Sequence, residues 1–283
     1  MSDPEALPPV LPVPLPDGPV ADHDPDSGAL LASYTRVGGQ IDGQYTSYGP
    51  DQMVRQVMWF HNGVLHGDCI TYDAAGLLLS QVPMAQGVPH GEALFYDQGL
   101  LVMSLSYAAG RKQGPSTVFS NGRPVTRMAY DQDQLSGEMI SLDPETGQPI
   151  ARIPHQGGQP HGMAQYFTPD GYLSRDQGFH AGRLEGQVVD YTPDGKVIAR
   201  RNFHDGVLHG PSVRYAVATG KPQEIRTYNA GALVGLETYD DKGGLLARHG
   251  VASHWAEPAP VASVPVPSAA GQETPWWKRL TGA

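Results

Sequence analysis

Gly63-Val-Leu-His-Gly67 decides the reading of the fold, because its pattern returns along most of the chain. GVPHG occupies 87–91, GRKQG 110–114, GQPHG 158–162, GRLEG 182–186, GVLHG 206–210 and GALVG 231–235. GQIDG at 39–43 precedes them, and a degenerate Asp133-Gln-Leu-Ser-Gly137 fills the central gap. The second glycines are Gly43, Gly67, Gly91, Gly114, Gly137, Gly162, Gly186, Gly210 and Gly235, in steps of 24, 24, 23, 23, 25, 24, 24 and 25 residues. A fixed period of this size marks a repeat architecture. These periodic glycines read as the turns of each unit.

Two columns of larger side chains keep the same beat. The fifth residue past the second glycine is Tyr48, Tyr72, Tyr96, Phe119, Leu142, Phe167, Tyr191 and Tyr215. Turns ending at Gly76, Gly99, Gly122, Gly147, Gly171 and Gly195 follow this column. A second column then stands three residues before each next unit: Phe60, Met84, Tyr107, Tyr130, His155, Phe179, Phe203 and Tyr228. The ninth unit places Tyr239 one residue early. Runs between turns are too short for stable helices and rich in Val, Ile, Leu, Thr and Tyr, as strands are. Positions three and five past the second glycine are the more apolar, and an offset of two is one face of a strand. The expectation is all-β: a single elongated antiparallel sheet of about nine stacked β-hairpins with one aromatic face.

Composition bounds the organisation. Residues 1–27 hold eight prolines, six acids and no Lys or Arg, and read as a disordered acidic arm. Residues 28–250 form the repeat domain. Residues 251–283 read as a Pro/Ala linker ending in Trp276, Trp277, Lys278, Arg279 and Leu280. Trp and Arg are residues of interface hot spots, so this tail is a candidate docking peptide; folding back over the last sheet edge is the alternative. Setting aside the arm's six acids reduces the net charge from −10 to −4 for the remainder. A mildly acidic body argues against nucleic-acid backbones and against anionic lipid. The lone Cys69 allows no internal disulfide, no apolar run is long enough to span a membrane, and no signal peptide is recognisable. The cytoplasm is therefore the expected location.

Aligned unit on unit, the chain resembles the MORN-like repeat family, most closely its bacterial YwqK-type antitoxin branch. Phe60-His-Asn-Gly-Val-Leu-His-Gly67 with Tyr72 and Gly76-Leu-Leu78, and Phe203-His-Asp-Gly-Val-Leu-His-Gly210 with Tyr215, carry the likeness. It covers about residues 39–250. The central unit departs from it, with Asp133 for the first glycine and Leu142 and His155 for aromatics. The resemblance implies a protein-binding module, often the neutralising partner of a toxin.

Chemistry finds little purchase in this pattern. His66, His90, His161 and His209 occupy equivalent loop positions. Equivalent positions in consecutive hairpins stand roughly 9.6 Å apart, too far to share a metal. Cys69 falls in a column of small residues, Ala93, Ser116, Ala164 and Ser212, and reads as packing rather than a nucleophile. Asp170 and Asp194 are turn-formers a whole unit apart. Base stacking on the aromatic columns is opposed by the negative charge and by a lack of Lys or Arg between the rings. The expected function is non-catalytic, without metal or cofactor: an antitoxin or immunity protein binding a cognate toxin. The alternative is a scaffold or adaptor of a bacterial secretion or envelope system, docking through its C-terminal tail.

Overall fold

A computed structural model of the chain describes residues 16–250. Its 25 strands form one antiparallel sheet with no helix among the described residues, so the all-β expectation holds. One repeat shows the construction. Strand Val54–His61 turns at Asn62-Gly63 into Val64–Tyr72, which turns at Asp73–Gly76 into Leu78–Ala85. Two compact units part within strand Leu100–Ala108. Among the described residues, one comprises those up to Leu101 with Tyr107–Gly110, and the other comprises Val102–Ser106 and those from Arg111 on. In a repeat sheet neighbour contacts replace a common centre, and nothing obliges all repeats to form one compact body.

The first glycine of each motif makes the hairpin turn. Asn62 and Gly63 have φ of 48° and 77°, and Asp205 and Gly206 53° and 82°. Two successive positive φ values define the two-residue type I′ turn, whose twist suits antiparallel strands. The second glycine does not turn the chain, which corrects the sequence reading. Gly67, with φ of 108°, lies inside strand Val64–Tyr72. Met58 pairs with Cys69 and Phe60 with Leu65, so His66, Gly67 and Asp68 together face Trp59 alone. This is a β-bulge with two residues in excess. The last unit has one fewer: only Val234 is extra between the pairs Tyr228–Leu233 and Thr227–Gly235. That missing residue is why Tyr239 comes early.

The two columns gain a physical role from the register. Gly43 pairs with Phe60, Gly67 with Met84, Gly114 with Tyr130, Gly137 with His155, Gly162 with Phe179, Gly186 with Phe203 and Gly210 with Tyr228. Each of these seven side chains of the second column therefore stands across from a bare glycine, which it can cover. The first column sits at a smaller bulge beside the other turn, as Tyr72 opposite Leu78 and Tyr191 opposite Val197 show. Prolines settle where these bulges leave no ladder bond to lose. Pro83 and Pro154 occupy the place of Trp59, and their carbonyls accept from the amides of His90 and His161 at 2.8 and 2.9 Å.

Burial differs from the one-faced expectation. Ala93 and Ala164 are 0% exposed and Ser116 1%, all two residues past the second glycine. Thr46, Ile140 and Val213, three residues past it and so on the other face, are buried too. Small side chains sink beneath longer neighbours on either face, and the Ser116 hydroxyl donates to the Ser104 carbonyl at 2.8 Å.

The acidic arm ends earlier than its composition suggests. Gly18–His23 is a strand paired antiparallel with Leu30–Val37. The Asp17 carboxylate accepts the Gly39 amide at 2.9 Å, and the Gly39 and Gly38 amides hold its pKa low. Asp24 accepts from the Ser27 amide and hydroxyl, both at 2.7 Å, closing the turn between the two strands.

Candidate partner-binding surface

Successive hairpin turns are bonded to one another, and the variable fourth motif residue belongs to that ladder. Gly63 donates its amide to the Ile41 carbonyl, Gly87 to Leu65, Gly182 to Pro160, Gly206 to Leu184 and Gly231 to Leu208, at 2.8–2.9 Å. In six units the residue one place earlier finds an acceptor as well, in a side chain of the previous motif. Asp42 accepts from the Asn62 amide at 2.9 Å, Gln113 from Gln132 at 3.0 Å and Glu185 from Asp205 at 2.9 Å. In three of the four histidine units Nδ1 is the acceptor: His90 from Ala109 at 3.3 Å, His161 from Ala181 at 3.5 Å and His209 from Ala230 at 3.4 Å. His, Asp, Gln and Glu share an acceptor at one reach, so they interchange where the sequence shows only variation.

The remaining predicted residues have local partners. Burial raises the pKa of Cys69, which suits a packed thiol rather than a reactive thiolate. Asp194 accepts from the Thr192 hydroxyl at 2.5 Å and pairs with Lys196 at 2.8 Å within its own turn. Among the described residues no group of three or more His, Cys, Asp or Glu is placed to hold a metal ion. Trp276, Trp277, Lys278, Arg279 and Leu280 lie outside the described residues. The expected lack of cations between aromatics is corrected: Arg36 lies over Tyr34 at 5.3 Å, Lys112 over Tyr130 at 5.2 Å and Arg200 over Tyr215 at 5.8 Å.

The sequence reading missed a polar array in the second unit. Five strands build it: Gly162–Phe167, Leu173–His180, Arg183–Tyr191, Val197–His204 and Gly210–Tyr215. On one face Tyr166, Arg175 and Asp190 stand in cross-strand register. Arg175 Nε and Arg201 Nη2 each reach one Asp190 oxygen at 2.6 Å, and Gln177 donates to the Tyr166 hydroxyl at 2.8 Å. The other face carries the row Gln165, Asp176, Val189, Arg200 and Val213. There Tyr191 donates to Asp176 Oδ2 at 3.0 Å and Gln165 to Oδ1 at 3.2 Å. Burial first, then the Asp176 charge and hydrogen bond, pushes Tyr191 up to about 12. Asp176 and Asp190 thus face opposite ways and do not converge on one substrate. What the array offers is charge and ring edges at strand spacing. A legible signal lay in Arg200-Arg201, since adjacent arginines in a strand must supply one cation to each face.

No protein-family model matches the sequence, and no curated protein matches it. Among solved structures, one titled "Crystal Structure of TcdB2-TccC3-Cdc42" aligns over 82% of this chain and 17% of that one, at 11% identity and a TM-score of 0.21. This chain therefore spans under a fifth of that chain's length. So low a score carries no argument about fold or function.

Proposed function

We propose that the chain is a non-catalytic protein-binding repeat protein, and that it serves as an antitoxin or immunity protein occluding a cognate toxin in the cytoplasm. The observation that carries the binding reading is the array over residues 162–215, where both faces of one sheet present charged and aromatic side chains in register. A repeating sheet gives such a surface at low cost in loop ordering, since the strands are fixed before a partner arrives. The likeness of the glycine motifs to YwqK-type repeats supports the finer reading. A protein partner also suits the charge, because a chain of net −10 gains nothing from phosphate backbones or anionic lipid.

Co-expression with each toxic product encoded beside the gene is the test. Restored growth by one of them is the expected result, and failure with all of them removes the antitoxin reading. The adaptor reading is favoured by Trp276-Trp277-Lys278-Arg279 behind a Pro-rich linker. Removing residues 271–283 separates the two, since a neutralising sheet keeps its toxin while an adaptor loses its partner.

A further inference from the structure

Arg200 is 8% exposed, and its Nε has no hydrogen-bond partner. Among the described residues no ion pair joins it to a carboxylate. A buried cation without an anion carries a desolvation cost that nearby dipoles only partly offset. Its neighbours are chemically committed. Val189 and Val213 flank it across the strands. Tyr215 offers the face of its ring at 5.8 Å. Asp176, one strand beyond Val189, is held by the Tyr191 hydroxyl and by Gln165. Arg201 next to it also has an unpartnered Nε, but its Nη2 already bonds Asp190 at 2.6 Å. Ser212 also has a buried hydroxyl without a partner, but it neighbours Val213 and so lies with Arg201 on the opposite face. Among the described residues Arg200 thus holds the one unpartnered buried side-chain atom on its face.

We infer that Arg200 is the anchor of a carboxylate-binding subsite walled by Val189, Tyr191, Val213 and Tyr215. Nε is the enclosed nitrogen, so the Nη fork is the end that meets the ligand. Two parallel N–H···O bonds from that fork match a carboxylate in geometry and charge. The tyrosine and valine walls exclude water from the pair and strengthen it. An acidic side chain of a protein partner and a small free carboxylate share this chemistry. The subsite stands whether or not the partner is a toxin.

The test uses the full chain and follows the arginine Nε–H resonances by NMR, with Arg200→Met giving the assignment. Sodium acetate shifts the Arg200 signal saturably, whereas sodium chloride at equal ionic strength does not. The end-blocked peptide Ala-Ala-Glu-Ala-Ala assigns the source: a shift of the same signal at lower concentration than acetate marks a polypeptide side chain, and a shift with acetate alone marks a small carboxylate. Melting gives an independent readout. Acetate raises the Tm of the native chain by roughly 2–4 °C and leaves Arg200→Met unmoved, while without acetate that variant melts no lower than the native chain. An Arg200 signal unmoved by acetate, or moved equally by chloride, overturns the inference. So does an equal acetate response in Arg200→Met.

Discussion

Gly178 shows how a single missing methyl fixes the backbone of one repeat. It occupies the place of Trp59, Pro83 and Pro154, yet a Cβ built on it would stand 2.3 Å from the Glu185 carbonyl oxygen. That oxygen belongs to the bulged strand and cannot rotate away. Gly178→Ala is therefore expected to cost ~3 kcal/mol or more, read as a lower urea midpoint at unchanged m-value. Asp133 is the opposite case, a side chain where a glycine is usual. Its φ of 69° is strained, but its Oδ1 accepts the Lys112 amide at 2.8 Å. Asp133→Gly relieves strain and forfeits that bond, two terms of about 1 kcal/mol each that nearly cancel. Asp133→Ala keeps the strain, loses the bond and should unfold about 1 kcal/mol more easily. No loss in Asp133→Ala would show that the carboxylate does not hold this turn.

The element at the next scale is the bonded turn column, whose pH response follows from its acceptors. Hydrogen bonding to Glu185 raises the His204 pKa, and Glu185 is lowered first by the Asp205 amide and then by His204. The raised histidine stabilises fully below its ordinary 6.5, and that contribution fades as pH climbs through its folded value. The lowered carboxylate contributes above its ordinary 4.5 and fades as pH falls through its folded value. A double-mutant cycle on His204 and Glu185 should give its largest coupling between these two pH values and a smaller one at pH 8. A coupling flat from pH 5 to 8 would refute the pairing. This scale also shows what the sequence concealed. Glycine spacing disclosed hairpins and their period, because glycine is the residue type that takes positive φ most readily. It did not separate turn from bulge, since Gly63 and Gly67 satisfy the same backbone demand at different places. Strand Gly18–His23 was hidden by Pro19 and Asp22 within a Pro- and acid-rich stretch, residues that an edge strand tolerates. Arg200 was invisible because its significance lies in neighbours set by register, not in its own residue type.

Across the whole molecule, stability in a repeat sheet is close to a sum over neighbouring units. Excising residues 68–91 removes one full period and joins Gly67 to Glu92, so the register resumes unbroken. The shortened chain should keep its β-type circular dichroism, with a modest loss of Tm. Excising 68–79 stops mid-period, places a strand against the wrong face and should abolish cooperative melting. Equal damage from both deletions would mean that the repeats do not exchange as units.

Central to the account is that each hairpin turn is tied to the one before it, so that the sheet is held along its turn column as well as along its ladders. In a solitary two-residue turn the amide of the second residue exchanges with solvent quickly. Here the amides of Gly63, Gly87, Gly182, Gly206 and Gly231 donate to the preceding motif. Residue-resolved hydrogen exchange on the intact chain is the most direct test. The account predicts protection of these glycine amides close to that of their flanking strands. Exchange at the rate of an unstructured loop, beside protected strands, would contradict it.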